Sequence, residues 1–302
     1  MQTDIAIIGA GPAGLTAAIY AKRSGHDVIV FEKMLPGGQM NTTPDVANYP
    51  GLPDIDGYAL STAMKAQVNA LGVEVKQAEI TSITHVDCNF LLNHALRARS
   101  VIYTTGATRR RLGIEGEAEN IGKGVAYCAV CDGHFFKDKP VAIVGGGTTA
   151  LEDALFLAKL CPEVHLVHRR HEFRAGQLLQ EQILNTPNIM LHLGCTPIKI
   201  TGSPVEQLHI QSDNNDVVAL SVAAVFIAIG SVAESRLIAD LIQVDEQGRV
   251  VAGEDCKTTI PGLFAAGDVR KKPLYQIVTA AADGANAAVS AGLYLDSLIS
   301  GS

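Results

Sequence analysis

The N-terminal part of the chain has an apolar and glycine pattern that predicts a strand, a loop, a helix and a second strand. An apolar run at 5–8 leads into Gly-Ala-Gly-Pro-Ala-Gly at 9–14, and a helical pattern of apolar positions follows at 15–24. A second apolar run at 28–31 ends on Glu32. Short apolar runs bounded by glycine are typical of strands buried on both faces, whereas apolar positions three and four residues apart indicate a helix.

The glycines in this pattern suit the phosphates of a dinucleotide. Gly9 allows a tight turn after the strand, Gly11 lets the backbone approach a pyrophosphate, and Gly14 lets the helix pack closely on the strand. The helix N-terminus offers unpaired N–H groups to the phosphates, and Glu32 can accept hydrogen bonds from ribose hydroxyls. The alternative is a glycine-rich turn without a ligand, but the surrounding strands, helix and acid favour a binding site.

The same order of elements returns in the middle of the chain. An apolar run at 141–144 leads into Gly-Gly-Gly-Thr-Thr-Ala at 145–150, which is the Gly-x-Gly-x-x-Ala variant of the motif. The pattern predicts a helix over 148–159 and a strand at 164–167, which ends on His168. The chain therefore contains two predicted dinucleotide-binding units.

The two units differ at one position that selects between nucleotides. Glu32 follows Gly9 by 23 residues, and His168 follows Gly145 by the same 23 residues. An acid here suits a free 2′-hydroxyl, whereas basic residues suit a 2′-phosphate, which arginine can bind with two parallel hydrogen bonds. The basic residues are His168, Arg169, Arg170 and Arg174. The first unit is thus predicted to bind FAD and the second NADPH; the alternative for the basic run is a solvated charge cluster.

Segments near the C-terminus are predicted to complete the first unit. Residues 262–269 form a predicted strand that ends in Gly-Asp, and residues 276–294 have an alanine-rich helical pattern. The predicted fold class is α/β, with two Rossmann-like dinucleotide-binding domains and the NADPH domain inserted into a discontinuous FAD domain. The predicted ranges are 1–113 and 246–302 for the FAD domain and 114–245 for the NADPH domain, which carries a Cys-x-x-Cys motif.

Composition and charge agree with this organisation and exclude some classes of protein. The 302 residues suffice for two domains, and the net charge of −7 argues against a general nucleic-acid partner. The longest apolar stretch, at about 217–230, is shorter than the ~20 residues that span a bilayer. The N-terminus runs directly into an apolar strand and has no leader pattern. We expect a cytoplasmic protein without nucleic-acid or membrane partners.

Six cysteines are present, and two of them form the motif Cys128-Ala-Val-Cys131. A cytosolic chain does not use disulfides as structural links, so the other four are predicted to be reduced, buried and apolar in role. They are Cys88, Cys161, Cys195 and Cys256. One Cys-x-x-Cys without a second Cys or His pair is a poor zinc site, and no metal is predicted.

The order of these motifs resembles that of the low-molecular-weight, bacterial-type NADPH-dependent thioredoxin reductases, which are FAD-containing class II pyridine nucleotide-disulfide oxidoreductases. The similarity extends over nearly the whole chain. The segments that carry it are 9–14, Pro-Gly-Gly-Gln at 36–39, Cys-Ala-Val-Cys-Asp-Gly at 128–133, His-Arg-Arg at 168–170 with Arg174, and Ala-Ala-Gly-Asp-Val at 265–269. In this family the Cys-x-x-Cys lies just before the glycine loop of the NADPH domain, as here.

The resemblance implies a reaction and a partner. NADPH delivers a hydride to FAD, and the electrons then reduce the Cys128–Cys131 disulfide and finally thioredoxin or a thioredoxin-like protein. The resemblance places Cys131 towards the flavin and makes Cys128 the thiol that attacks the partner disulfide. Asp132 is the candidate acid that protonates the leaving thiolate, although an Asp before Gly133 is also a common turn residue. The resemblance also implies a homodimer.

Two sets of cofactor-binding residues are predicted from the motifs and from the resemblance. The FAD set is Gly9, Gly11, Pro12, Ala13, Gly14, Glu32, Lys33, Gly38, Gln39, Asn48, Thr105, Gly106, Gly267, Asp268 and Gln276. The NADPH set is Gly145, Gly147, Thr148, Thr149, Ala150, His168, Arg169, Arg170 and Arg174.

The chain departs from the family pattern at two of the positions near these sets. Tyr275 stands where the family usually has arginine, and Thr148 stands where it usually has Asn or Asp. Tyr275 could tune flavin access and the choice of electron donor, or it could simply pack. The basic runs 109–111 and 270–272 are predicted to be solvated loop charges.

Three alternative functions remain open from the sequence. The first is a related flavin disulfide oxidoreductase that takes electrons from ferredoxin or runs them in reverse, which the basic residues after the second strand disfavour. The second is a ferredoxin- or flavodoxin-NADP reductase, which needs no dithiol. The third is a non-enzymatic NADP or redox sensor, which a turnover assay distinguishes from an enzyme.

Overall fold

The computed structural model describes residues 2–43, 46–53 and 55–300. Met1 and residues 301–302, at the ends of the predicted FAD domain, lie outside the described residues. The strands are β1 Gln2–Ile8, β2 Val28–Glu32, β3 Glu74–Gln77, β4 Ile83–Val86, β5 Asn89–Leu92, β6 Leu96–Tyr103, β7 Ala107–Arg109, β8 Val125–Ala126, β9 Val141–Val144, β10 Val164–His168, β11 Ile189–Leu193, β12 Cys195–Thr201, β13 Gln207–Ser212, β14 Val217–Ser221, β15 Ala224–Ile227, β16 Ser231–Ala233 and β17 Leu263–Ala265. The helices are α1 Pro12–Arg23, α2 Gly57–Ala70, α3 Ala129–Asp132, α4 Thr148–Ala158, α5 Gln177–Leu184 and α6 Ile277–Ser300.

The chain divides into two compact units. The first unit consists of Met1–Thr108 and Ser231–Ser302, and the second unit is the continuous segment Arg109–Gly230. The sequence placed these boundaries later, after 113 and after 245. The second boundary differs because Ala233, Ile238 and Ile242 are buried against the sheet of the first unit. The division into units does not test which cofactor each unit binds, so the assignment of FAD to the first unit and NADPH to the second stays a prediction.

A mixed sheet forms the centre of the first unit. Its strands lie in the order β3-β2-β1-β6-β5-β4, and β17 also pairs with β6. The pairs β1–β2, β1–β6, β2–β3 and β6–β17 are parallel, whereas β4–β5 and β5–β6 are antiparallel. Strand β17 therefore joins the C-terminal segment to the N-terminal sheet, beside the strand that ends at Tyr103.

Both faces of this sheet are buried, which explains the continuous apolar runs in β1 and β2. Ile5 and Ile7 pack on the face covered by α1, α2 and α6, whereas Ala6 and Ile8 pack on the opposite face. The close approach of α1 and α6 requires a small residue, because a Cβ at Gly284 would collide with the carbonyl oxygen of Ala13. Parallel strands that are covered on both sides cannot alternate between apolar and polar residues.

The second unit has a parallel sheet with the strand order β11-β10-β9-β15-β8. Helix α4 covers one face through Leu151, Ala154 and Leu157. The antiparallel sheet β12-β13-β14 covers the other face, where Leu208 and Leu220 are buried. The predicted helices over 148–159 and 276–294 are confirmed as α4 and α6.

The cysteine prediction is correct in part. Cys161 and Cys256 are buried, but Cys195 is half-buried and Cys88 is exposed. Cys88 is exposed because it lies in the turn between β4 and β5, where its φ is +59°. Within the residues that the structure describes, no helix is both long enough and apolar enough to cross a membrane.

Candidate active site

The first glycine loop connects β1 to α1, and its three glycines have different roles. Gly9 has φ of +104°, and a Cβ there would collide with the carbonyl oxygen of Thr104. A Cβ at Gly14 would collide with the carbonyl oxygen of Gly9. Gly11 has an ordinary φ of −76°, and no atom lies within 4 Å of its Cβ position. The fold therefore requires Gly9 and Gly14, whereas Gly11 leaves open space at the start of α1.

The second glycine loop, between β9 and α4, repeats this arrangement. A Cβ at Gly145 would collide with the carbonyl oxygen of Ala228 and would crowd the side chain of Ala150. Gly147 has a φ of −94°, and the space around its Cβ position is open. Thr148 and Thr149 begin α4. Each loop therefore presents bare backbone at a helix N-terminus, the geometry in which a pyrophosphate is bound.

The Glu32 carboxylate lies beside the first loop and supports it. One oxygen accepts a hydrogen bond from Ala10 N–H at 2.8 Å, and the other accepts one from Met34 N–H at 2.9 Å. Each carboxylate oxygen can accept a second bond, so Glu32 can still bind ribose hydroxyls. The adjacent Lys33 is exposed.

A cleft opens next to Glu32 in the first unit. Apolar side chains such as Ile8, Phe31 and Leu237 line it together with the charged residues Glu32, Lys33, Glu79, Glu234 and Arg236. Apolar walls beside the Glu32 carboxylate suit a purine ring attached to a ribose.

The loop that follows β2 and the start of α6 meet at the same end of the first unit. Asn48 Nδ2 donates a hydrogen bond to Gln276 Oε1 at 3.0 Å, although the two residues are 228 positions apart. Gln39 Nε2 donates to the carbonyl oxygen of Ala107, and Gly38 begins the short 3-10 turn that carries Gln39.

The strand ends on either side of the first loop supply further predicted residues. Gly267, with φ of +80°, lies against Ala13, because a Cβ there would be 2.9 Å from the Ala13 Cβ. Thr105 Oγ1 donates to the Glu234 carbonyl at 2.7 Å, and Gly106 has φ of +74°. The structure thus brings Gly267 of the C-terminal segment against Ala13 of the first loop.

A buried ionic cluster lies beneath Gly267 and Asp268. Arg270 donates to both Asp283 oxygens, at 2.6 and 3.3 Å, and only 7% of Arg270 is exposed. Lys272 Nζ lies 3.1 Å from Asp283 and 3.6 Å from Asp268. Asp283 also accepts a bond from Gly267 N–H at 3.1 Å. The prediction that residues 270–272 are solvated was wrong for Arg270 and Lys272, because Asp283 on α6 pairs with both.

The His168 ring packs inward at the second loop. It occupies the space beside Gly146, where any Cβ would collide with it, and it stacks on Phe173 with ring centroids 5.8 Å apart. His168 is 9% exposed, and its Nε2 atom is buried without a hydrogen-bond partner among the described residues. Burial lowers the pKa of His168, which favours the neutral ring at neutral pH.

The three predicted arginines are exposed around the same loop. Arg169 and Arg170 follow the end of β10, and Arg174 N–H donates to the Gly146 carbonyl at 2.9 Å. The Arg170 carbonyl accepts a bond from Gly194 N–H at 3.3 Å. These backbone bonds hold the arginine-bearing turn beside the glycine loop.

A disulfide joins Cys128 to Cys131 in the second unit. Cys128 precedes the short helix α3, and its Sγ accepts a hydrogen bond from Cys131 N–H at 3.2 Å. Asp132 N–H donates to the Cys128 carbonyl at 3.0 Å, so the acid is held one residue beyond the disulfide. A hydrogen bond from an N–H group stabilises a thiolate, so the geometry favours Cys128 as the nucleophile after reduction.

Asp132 has the properties of a proton donor. Burial raises the pKa of Asp132 to about 6, while the nearby Arg109 lowers it in part. Its side chain does not cap the turn that follows, which disfavours the alternative role as a turn residue. Gly133 allows the turn to pack on α4, since a Cβ there would be 3.1 Å from the side chains of Phe156 and Leu157.

A second acid with a raised pKa was missed by the sequence analysis. Burial and the neighbouring Glu152 raise the pKa of Asp153, on α4, to about 6, and Arg109 opposes this effect. Arg109 also lies over the Tyr127 ring, 5.8 Å from its centroid. The sequence signal that could have identified Asp153 was an acid on the inward side of a helix that immediately follows a glycine loop.

Asp132→Asn is expected to stabilise the protein at about pH 7.5, because it removes a buried charge. The ordinary pKa of Asp, 3.8, applies to the unfolded chain, whereas the folded value is about 6. The folded state therefore binds more protons between these values, and the free energy of unfolding falls as pH rises through them. We expect a gain of about 1–2 kcal/mol at pH 7.5, discounted for partial solvation, and a smaller gain near pH 5.

Urea unfolding of the two proteins at both pH values measures this difference. Asp138→Asn is the matched control, since Asp138 is exposed and lies in the same segment. An equal change in stability for both variants at both pH values would contradict the burial of the Asp132 charge.

A family model, curated relatives and a solved structure all match this chain over nearly its whole length. Residues 3–285 match the family model described as pyridine nucleotide-disulphide oxidoreductase. The thioredoxin reductase of Peptoclostridium litorale is 41% identical over 98% of this chain and 98% of its own, and that of Listeria monocytogenes is 39% identical over 98% and 94%. The crystal structure of thioredoxin reductase from Streptococcus pyogenes matches with a TM-score of 0.92 and 38% identity over 98% of this chain and 99% of that chain.

Two glycine loops and a Cys-x-x-Cys disulfide in one chain define an oxidoreductase that uses flavin and a pyridine nucleotide. The chain belongs to the pyridine nucleotide-disulphide oxidoreductase family. The predicted α/β class with two dinucleotide-binding domains is confirmed by the sheets and by the match to the Streptococcus pyogenes structure.

Proposed function

We propose that the protein is an NADPH-dependent thioredoxin-disulfide reductase. The observation that carries the proposal is the Cys128–Cys131 disulfide, which lies beside a carboxyl of raised pKa in the unit that contains the second glycine loop. The relatives that are similar over nearly the whole chain are thioredoxin reductases, which supports thioredoxin or a thioredoxin-like protein as the partner.

FAD is proposed to bind the first unit. The open space at Gly11, the lone pairs left on Glu32 and the apolar walls of the adjacent cleft fit its pyrophosphate, ribose and purine. The predicted contacts Gln39, Asn48 and Gln276 lie at the same end of the unit and would orient the rest of the molecule. When bound, FAD accepts a hydride and passes on two electrons, which a disulfide cannot take directly from a nicotinamide.

NADPH is proposed to bind the second unit. Gly147 leaves room for its pyrophosphate, and the exposed guanidinium groups of Arg169, Arg170 and Arg174 supply charge for a 2′-phosphate. The basic charge disfavours the ferredoxin-dependent alternative, because such an enzyme needs no binding site for a 2′-phosphate.

The geometry around the disulfide supports the proposed thiol chemistry. The Cys128–Cys131 bond accepts two electrons and opens to a dithiol, and Cys131 N–H then stabilises the Cys128 thiolate. Cys128 attacks the partner disulfide, and Cys131 resolves the mixed disulfide. Asp132 holds the proton for the leaving thiolate, since its raised pKa lets it exchange protons near neutral pH.

The proposal extends to assembly and location. Val289 and Leu293 on α6 are 51% and 64% exposed, and exposed apolar side chains on one helix suit a homodimer contact. The cysteines outside the Cys-x-x-Cys remain unpaired in the described part of the chain, which supports the reducing cytoplasm.

Anaerobic titration of the purified flavoprotein tests the function. NADPH is expected to bleach the flavin absorbance, and oxidised thioredoxin is expected to restore it. Bleaching without recovery would contradict the thioredoxin partner, and no bleaching would contradict the pyridine-nucleotide donor.

The assignment of the two cofactors to the two loops predicts that the same substitution in each loop weakens the binding of a different cofactor. Gly11→Ala is expected to weaken FAD binding by about 10–100-fold, because the added methyl occupies the space of the pyrophosphate. Gly147→Ala is expected to retain FAD and to weaken NADPH binding by a similar factor. Both residues have ordinary φ values and open surroundings, so both variants fold.

Flavin content after purification and isothermal titration with NADP⁺ measure the two effects. The assignment is wrong if Gly147→Ala loses flavin while Gly11→Ala keeps it.

A further inference from the structure

Tyr275 lies under a guanidinium group from a distant loop of the first unit. The Arg249 guanidinium carbon is 4.5 Å from the centroid of the Tyr275 ring, and the Lys272 ammonium nitrogen is 5.7 Å from it. The Tyr275 hydroxyl accepts a hydrogen bond from Lys272 N–H at 3.3 Å. A cation at such a distance over an aromatic face is attracted to the ring. Arg249 therefore covers the Tyr275 ring and holds it in place.

Both ends of the Arg249 guanidinium are fixed by hydrogen bonds. Nη2 donates to Ser231 Oγ at 2.7 Å, and Nη1 donates to Gln247 Oε1 at 2.7 Å. The Nε atom is buried and has no hydrogen-bond partner among the described residues. A planar group with donors on both sides can bind two partners while it stacks on a ring, and lysine cannot reproduce this geometry.

The backbone beneath Arg249 is tied to the loop that carries Tyr275. Val250 N–H donates to the Val269 carbonyl at 2.9 Å, and Lys271 N–H donates to the Val250 carbonyl at 2.9 Å. Arg249 N–H itself donates to Asp245 Oδ1 at 2.8 Å. The guanidinium group is thus carried by a segment that is hydrogen-bonded to residues 269–271.

The partners of Arg249 lie at the start of the second segment of the first unit and next to a predicted flavin contact. Ser231 is the residue at which the chain re-enters the first unit. Tyr275 directly precedes Gln276, which accepts the hydrogen bond from Asn48 at 3.0 Å. One guanidinium group therefore connects the re-entry segment to the residue beside a predicted flavin contact.

We propose that Arg249 is a positioning residue for the flavin site, which acts through Tyr275 to fix Gln276 relative to the re-entry segment at Ser231. The inference rests on the proposed function for the binding of FAD to the first unit, but it requires no contact between Arg249 and the flavin. Loss of Arg249 alters the surroundings of the flavin, while the thiols of the second unit keep their reactivity.

Variants of the flavin-loaded protein test this inference. Arg249→Met and Tyr275→Leu are each expected to shift the visible absorption bands of the bound flavin. We expect each to slow flavin reduction by NADPH about three- to tenfold, the size of one cation–aromatic contact. Tyr275→Phe keeps the ring and is expected to retain the spectrum, and Arg249→Lys is expected to change it in the same direction as Arg249→Met. Lys271→Met is the matched control, since it removes an exposed cation from the same loop.

A double variant distinguishes a shared role from two separate ones. Arg249→Met combined with Tyr275→Leu is expected to show the effect of either single change, because the two residues act as one unit. In a pre-reduced sample, transfer to the partner disulfide is expected to keep its original rate. Additive effects, or an Arg249→Met spectrum equal to that of Lys271→Met, would overturn the inference. If Arg249→Met does not fold, Arg249→Lys compared with Lys271→Met decides in the same way.

The same experiment separates this inference from the proposed function. Wild-type flavin that NADPH does not reduce would contradict the proposed function, whereas the spectral comparison needs only bound flavin and still decides the role of Arg249.

Discussion

Cys128→Ser is expected to reduce the disulfide-reductase activity by about a thousandfold or more, because it removes the attacking thiol. Reduction of the flavin by NADPH is expected to continue at nearly its original rate, since this half-reaction does not require the dithiol. Stopped-flow absorbance measures flavin reduction, and a coupled assay with oxidised thioredoxin measures turnover. Cys88→Ser, which replaces an exposed and unpaired thiol, is the matched control.

Cys131→Ser is expected to give the same loss of turnover and a different spectrum. If Cys131 faces the flavin, its thiolate in the Cys128→Ser variant produces a long-wavelength charge-transfer band, and Cys131→Ser lacks this band. The resemblance places Cys131 towards the flavin, and the hydrogen bond from Cys131 N–H to the Cys128 sulfur supports Cys128 as the nucleophile. A band in Cys131→Ser alone would reverse the two roles, and full turnover in either variant would contradict the dithiol mechanism.

Arg169→Ala combined with Arg170→Ala is expected to lower the preference for NADPH over NADH by about a hundredfold or more. Each charge-assisted contact to a 2′-phosphate contributes about 1.5–3 kcal/mol. The loss is expected in kcat/KM for NADPH, while kcat/KM for NADH changes little, because NADH has no phosphate at this position. Steady-state kinetics with both nucleotides measure the ratio.

Arg110→Ala combined with Arg111→Ala is the matched control, since it removes two exposed arginines from the same unit. The control is expected to retain the nucleotide preference. Equal use of NADPH and NADH by the unaltered protein would contradict the role of the basic turn after β10.

The glycine loops could be predicted from the sequence because their geometry is local. A Cβ at Gly14 would collide with the carbonyl oxygen of Gly9 in the same loop, and Gly9 has a φ of +104°, so both constraints follow from a strand–loop–helix pattern. The equal spacing of Glu32 from Gly9 and of His168 from Gly145 corresponds to equivalent backbone hydrogen bonds in the structure. Gly9 N–H donates to the Phe31 carbonyl at 2.8 Å, and Gly145 N–H donates to the Val167 carbonyl at 3.0 Å.

The ionic cluster at Arg270 could not be predicted, because its partner lies on another element. Asp283 is an acid within an alanine-rich helix, and only the packing of α6 against the loop after β17 brings it to Arg270. An acid on an otherwise apolar helix face was the available signal. The stack of Arg249 on Tyr275 likewise depends on two loops that meet only in the folded chain.

The second domain boundary shows a different limit. The sequence placed this boundary after residue 245, but a turn does not reveal which unit the flanking residues pack against. Ile238 is fully buried against the sheet of the first unit, so the segment before residue 245 belongs there. The antiparallel sheet β12-β13-β14 was not predicted either, since its short strands carry no motif.

The discontinuous first unit has a consequence for biosynthesis. Helix α1 packs against α6, and β6 pairs with β17, so that segments translated before the second unit contact segments translated after it. The second unit is a continuous segment and can complete its core while the apolar surface of α1 still lacks its partner. Domains generally form as they are translated, and apolar surface left exposed during translation favours aggregation. The apolar surface of α1 that faces α6 therefore stays without its partner until α6 is released.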